Sequence, residues 1–286
     1  MSTSPSPTPP PSAQPTFPSA QLTLTERLAL KAAEAINRPG LVQRLAVLYG
    51  RHFCQRLVKG IYYRRLRLEG VEHLGAIPTT APVLIVANHR TFYDLFVIAT
   101  ALRESSGQRL GFPCVFPVRS PFFYDNPLGA LLCLAASGGC MYPPVFRDKR
   151  KGELNAVGVE VMRWLLTQPG VCLGIHPEGR RATGSDPFTL DPPKRGVGAL
   201  IEGARPELVV LPVFVEGLRN GFGGELKRSF RGRRAEPIHI TWGAPLRAVD
   251  FEGDQEQIAA QAHAHIQRLA DEARAKRGGG AQREGG

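Results

Sequence analysis

The chain has 286 residues, 43% of them hydrophobic, which suits one domain of catalytic size with terminal extensions; its formal net charge of +11 calls for an anionic partner, whether nucleic acid, a membrane surface or a substrate. Five cysteines, at 54, 114, 133, 140 and 172, show no Cys-x2-Cys pair and no clustering with histidine at metal-ligand spacing, so no zinc site is expected and the thiols read as reduced and buried. A Gly-x-Ser-x-Gly elbow and a Walker loop are both missing, which removes the main support for serine-hydrolase and nucleotide-hydrolase readings.

Residues 1–20 carry seven prolines among serines and threonines and no charge. Such a segment has too little apolar surface to pack and is expected to be a disordered tail; it lacks the basic and apolar regions of a secretory signal. Thr23-Leu24-Thr25-Glu26 has the form of a capping box, opening an Ala- and Leu-rich helix that stops at Asn37-Arg38-Pro39-Gly40. A second helix starts near Leu41, with Leu41, Leu45, Leu48, Tyr49 and Phe53 at helical spacing, so residues 21–64 are expected to hold an amphipathic helical pair. Between Arg51 and Arg67 there are six Lys or Arg and no acid, interleaved with Phe53, Leu57, Ile61, Tyr62 and Tyr63. That is the composition of an interfacial membrane segment. No stretch reaches the ~18 to 20 apolar residues that span a bilayer, so membrane contact is expected to be peripheral.

Over residues 65–276 strand-like and helix-like segments alternate, the pattern of an α/β sheet with helices packed on its faces. Strands are expected from Leu66 to Val71 and around residues 82–87, 115–118, 171–175, 209–215 and 237–240. Helices are expected from Asp94 to Glu104, near 128–136, from Glu153 to Thr167 and from Gln255 to Lys276, with 277–286 a disordered tail. Gly138-Gly139 leads through Tyr142-Pro143-Pro144-Val145-Phe146 to Arg147, where the proline pair interrupts a strand because Pro donates nothing to a ladder. Lys227, Arg228, Arg231, Arg233 and Arg234 fall in a Gly-rich loop; without a nucleic-acid recognition motif beside them, nucleic acid is the disfavoured partner.

Two of these junctions carry chemistry. Asn88-His89-Arg90-Thr91-Phe92-Tyr93-Asp94 directly follows the apolar run Pro82 to Ala87, setting an imidazole at a strand end and a carboxylate five residues on. That suits a general base and its orienting acid. Ile175-His176-Pro177-Glu178-Gly179-Arg180-Arg181 follows another strand, and its glycine and two guanidiniums suit an anion cradle. Lys194-Arg195-Gly196 lies a short loop further on.

At these residues the chain resembles the glycerolipid acyltransferases, the family of bacterial 1-acylglycerol-3-phosphate acyltransferases, over roughly residues 65 to 245. Four motifs occur in order: Asn88-His89 with Asp94; Arg147 in place of the second block's arginine; Pro177-Glu178-Gly179 with Arg181; and Val210-Leu211-Pro212-Val213, preceded by Lys194-Arg195-Gly196. The family usually has an aromatic residue before Pro-Glu-Gly and a Thr after it, where this chain has His176 and Arg180. The resemblance implies a central mixed sheet flanked by helices. It also implies transfer of a fatty acyl group from acyl-CoA or acyl carrier protein to the free hydroxyl of a lysophospholipid, with 1-acylglycerol-3-phosphate first among acceptors and no metal or other cofactor. His89 and Asp94 would then be the catalytic pair, and Arg147, Arg181, Lys194 and, secondarily, Arg180 would take the lysolipid phosphate beside Gly179. Glu178 would orient those arginines or meet a substrate hydroxyl, and His176 would pack. The enzyme is expected at the cytoplasmic face of an anionic membrane. His176 and Arg180 leave other lysolipid acceptors open, and a basic lipid- or RNA-binding module that kept the scaffold is the non-enzymatic alternative.

Overall fold

The computed structural model of the chain describes residues 10–110, 113–124, 126–219, 221–231 and 234–281. Before the sheet come α1 (Leu24–Asn37), α2 (Leu41–Tyr49) and α3 (Gln55–Tyr62). The capping box at the start of α1 is formed in both directions, Glu26 N–H donating to Thr23 Oγ1 at 3.2 Å and Thr23 N–H to Glu26 Oε2 at 2.8 Å. A π-helical turn over Gly50–Cys54 joins α2 to α3 without a break. Leu41, Val42, Leu45, Leu48, Phe53 and Leu57 all remain exposed along this helix, so its apolar stripe is left open to the outside.

The sheet contains β1 (Leu66–Glu69), β2 (Val83–Ala87), β3 (Cys114–Arg119), β4 (Met141–Val145), β5 (Cys172–Ile175), β6 (Val209–Glu216), β7 (Ile238–Trp242) and β8 (Leu246–Arg247). Its order is β1-β7-β6-β2-β5-β3-β4, with β8 also pairing with β6. β7 and β8 run antiparallel to β6 and every other pair is parallel, which makes this the expected mixed sheet. β2 is buried at all five positions, as an apolar run covered on both faces must be. The connecting helices are α4 (Asp94–Ser105), α5 (Ser120–Phe123), α6 (Pro127–Ser137), α7 (Gly152–Leu165), α8 (Gly196–Ile201), α9 (Phe222–Ser229) and α10 (Gln255–Ala281). α10 packs on α8, β6 and β2, while α3 packs on α4 and α9.

Four expectations change. Pro143 and Pro144 do not prevent a strand: β4 forms at the sheet edge, where proline is tolerated, and its register against β3 shifts between Phe116 and Val118 opposite the pair. Residues 10–20, expected within a disordered tail, lie along that edge; Phe17 is buried against Phe146 at 6.2 Å between ring centroids, and Gln14 donates to the Tyr142 hydroxyl at 3.4 Å. One large apolar side chain is enough to hold the segment. Residues 1–9 lie outside the described residues. At the other end α10 continues through residues expected in the tail, to Ala281. Finally, the basic cluster expected in a Gly-rich loop lies partly on α9, and Arg228 is bound to Glu236 at 2.8 Å; Arg233 is outside the described residues.

α9 also explains why one cation of the 51–67 stretch faces inward. Arg65 is 1% exposed, and its guanidinium meets Glu225 at 2.5 Å, Ser229 Oγ at 2.7 Å and the backbone oxygens of Glu236 and Gly217 at 2.9 and 3.2 Å. A buried pair is costly to break from one side, because the remaining charge loses its counterion in a poorly solvated site. Arg65→Met is expected to destabilise the fold by about 3 kcal/mol, and Arg65→Met with Glu225→Leu to recover at least half of that loss in urea unfolding.

Candidate active site

Because β2, β5, β3 and β4 are parallel neighbours, their carboxyl ends share one rim, the place where open α/β sheets bind ligands. The sequence-predicted residues emerge there. Asn88 is fully buried and acts as a clamp: its amide donates to Val215 O at 2.8 Å and its carbonyl accepts from Val215 N–H at 2.7 Å, fixing the end of β2 to β6.

The next residue, His89, is 23% exposed in its side chain, and its Nδ1 lies 2.9 Å from Asp94 Oδ2. Asp94 is the first residue of α4 and is fully buried. The same Oδ2 accepts the backbone N–H groups of Arg90 at 2.7 Å and Thr91 at 2.9 Å. A carboxylate only accepts hydrogen bonds. Nδ1 of a neutral His89 therefore carries the proton, and Nε2 keeps its lone pair for chemistry.

His176 stands behind it. The two imidazoles are parallel within 6° at 4.1 Å between centroids, and His176 Nδ1 is 2.9 Å from Ala87 O. Burial and the neighbouring His89 push the His176 imidazole down to about 4, so it is neutral at ordinary pH. His89, Asp94 and His176 bring ligand-type atoms within 4.8 Å of one another. Parallel stacked rings keep their in-plane lone pairs in separate planes, however, and both Nδ1 atoms are engaged, so these two imidazoles do not converge on a cation.

The 177–182 loop folds across the rim. Ala182 N–H donates to His89 O at 2.8 Å, and Lys194 N–H to Pro177 O at 2.7 Å, which brings the Lys194 segment beside Pro-Glu-Gly. Gly179 has φ +66°, and a Cβ there would meet the Lys194 side chain at 3.3 Å. Glu178 is 1% exposed, and neither carboxyl oxygen completes a hydrogen bond among the described residues. Burial raises it to about 7, with the nearby His89 N–H and Arg90 pulling the other way and Asp191 adding to the rise. Arg180 points elsewhere, into an ion pair with Asp191 at 3.1 Å.

Arg181 and Arg147 approach a third guanidinium that sequence reasoning missed, Arg119, the last residue of β3. Burial, then the charges of Arg147 and Arg181, hold Arg119 below its ordinary value, a cluster of like charges that an anion would relieve. Among the described residues no carboxylate pairs with Arg119 or Arg147. A lone arginine at a strand end carries no signal; only the adjacency of β3, β4 and β5 makes the cluster. Below the rim, Phe116 touches the His176 ring at 5.9 Å and lines an apolar pocket with Val58, Leu95, Phe96 and Cys54 between α3, α4 and β3.

A family model described as Acyltransferase matches residues 66–216, just over half the chain and all four motifs. No curated protein matches the sequence. Among solved structures, the 1-acyl-sn-glycerophosphate (LPA) acyltransferase PlsC from Thermotoga maritima is similar at 16% identity and a TM-score of 0.49, over 87% of this chain and 96% of that one.

The Glu178 environment has a thermodynamic signature. Its value rises from 4.5 to about 7 on folding, so the folded state holds the proton more tightly; the stabilisation by the neutral acid is complete below about pH 4.5 and lost as pH rises through 7. Glu178→Gln removes this linkage. The drop in urea-unfolding free energy between pH 5 and pH 8 is expected to be about 2 kcal/mol smaller in the variant than in the wild type, and an equal drop in both would contradict the assignment.

Proposed function

The chain belongs to the acyltransferase family, and we propose that it moves a fatty acyl group from acyl-CoA or an acyl carrier protein thioester to the free hydroxyl of a lysophospholipid, 1-acylglycerol-3-phosphate before others. The observation that carries this reading is the His89–Asp94 pair at 2.9 Å, its other imidazole nitrogen free to act as a base. His89 Nε2 takes the hydroxyl proton as the oxygen attacks the thioester carbonyl. The tetrahedral intermediate collapses, the carbon–sulfur bond breaks, and the imidazolium returns its proton to the departing thiolate. Asp94 stabilises the imidazolium between these steps and holds the tautomer that begins the next cycle.

A phosphate on the acceptor suits the guanidiniums of Arg119, Arg147 and Arg181, which otherwise repel one another, with Lys194 beside them. Arg180 is a secondary contributor because Asp191 already engages it. Glu178, buried and without a hydrogen-bond partner, suits a donor such as a substrate hydroxyl near Gly179. The apolar pocket next to Phe116 offers room for acyl chain carbons close to the catalytic ring.

Peripheral contact with an anionic membrane belongs to the same reading. Leu41, Leu45, Phe53, Leu57, Leu128 and Leu131 are exposed, and no helix among the described residues is long and apolar enough to cross a bilayer. The thioester donors are cytoplasmic, which puts the proposed contact at the cytoplasmic face. Replacing both Leu45 and Phe53 by Asp is expected to abolish flotation with vesicles containing anionic phospholipid while leaving the melting temperature within a few degrees.

The decisive assay uses labelled oleoyl-CoA, or the carrier-protein thioester, with lysophosphatidic acid. Phosphatidic acid should form with the wild type and fall about 1,000-fold or more with His89→Ala, whose unfolding free energy should stay near that of the wild type. In the same assay Arg119→Ala, Arg147→Ala and Arg181→Ala should each raise KM for the phosphate-bearing acceptor about 10-fold and affect a neutral acceptor less; equal effects on both would remove their assigned role.

A further inference from the structure

We propose that His176 is a positioning residue for His89: its ring, anchored to the end of β2, fixes the plane of the His89 imidazole and so the direction in which Nε2 is offered to the acceptor hydroxyl. This rests on the acyl-transfer reading of the site.

The geometry shows why a second constraint is needed. The hydrogen bond from His89 Nδ1 to Asp94 Oδ2 holds one edge of the ring and leaves it free to tilt about the Nδ1–Oδ2 line. A flat face at 4.1 Å, parallel within 6°, removes that freedom. A misdirected base loses the proton-transfer geometry even when its protonation is right.

The His176 ring is itself held on two sides. The β2–β5 ladder ends at the pair Val86 and Ile175, so Ala87 and His176 are the next residues on each strand. Where the ladder stops, the His176 side chain reaches Ala87 O at 2.9 Å; Nδ1 carries the proton because a carbonyl only accepts. Phe116 supports the ring from the pocket side at 5.9 Å. Gly174 leaves the room for this, since a Cβ there would lie 2.0 Å from the Phe116 ring. Gly174, Phe116, His176 and His89 therefore form a continuous line of neighbours from strand to base, with Phe116 tilted by 32° against the His176 ring. Because burial keeps His176 neutral, the imidazolium formed during the reaction faces a ring of no charge.

The face and the anchor separate by substitution. His176→Phe keeps a flat ring and loses the bond to Ala87; His176→Asn keeps a donor for Ala87 and loses the face. His176→Phe is expected to retain kcat within about 3-fold, whereas His176→Asn should lower kcat about 30-fold with KM for both substrates within 2-fold. If His176→Asn does not fold, His176→Leu, which fills the space without a flat face, carries the same expectation. Side-chain 13C relaxation of the His89 ring at pH 8 supplies a readout independent of turnover: the ring should be rigid in the wild type and in His176→Phe and mobile in His176→Asn, with Asp94 keeping the Nδ1–H tautomer in all three. Wild-type kcat in His176→Asn or His176→Leu, or a loss confined to KM, overturns the proposal. A wild type inactive on every lysolipid, whose His89 ring still becomes mobile in His176→Asn alone, would overturn acyl transfer and leave the positioning role standing.

Discussion

One buried oxygen organises the rim. Asp94 Oδ2 receives the His89 imidazole and the backbone N–H groups of Arg90 and Thr91, so the carboxylate closes the turn between β2 and α4 and orients the imidazole at the same time. Without Asp94 the turn would leave the Arg90 and Thr91 amide protons unpaired, and the imidazole is not oriented unless the turn has formed. That double use explains the spacing of the motif. Five residues are what the chain needs to leave the strand, turn and begin a helix with its first side chain pointing back.

The strand that delivers His89 is secured on both sides near its end. Asn88 binds Val215 of β6 through both ends of its amide, and His176 binds Ala87 from β5. Such bonds would contribute little on an exposed surface. At buried positions, where an unmet polar group costs about 1–3 kcal/mol, they define where the backbone stops being sheet. The arginine side of the rim is built differently, from residues at the ends of β3 and β4 and after β5, each supplied by a separate crossover.

What was legible in the sequence was local. The capping box at Thr23, the apolar run of β2 and the spacing that joins His89 to Asp94 all depend on residues within a few positions of each other, and the structure contains these contacts. Arg119 was not legible because its role comes from strand order, which brings together positions 119, 147 and 181. Phe17 was missed because composition averages over a segment, while a single ring in a cleft holds it down. Pro143 and Pro144 were misjudged for a related reason: whether a missing donor matters depends on whether a strand is central or at the edge. Glu225 gave no sign of burial, since its partner Arg65 is 160 residues away.

That separation also bears on synthesis at the ribosome. β1 pairs with β7, and Arg65 with Glu225, so the N-terminal helices and the first strand leave the exit tunnel long before the partners that complete the sheet around them. During that interval the nascent chain already presents the stripe of Leu41, Leu45 and Phe53, which stays exposed even in the finished fold. The helix that carries this stripe is thus open to a nearby lipid surface or a chaperone before the sheet behind it is complete.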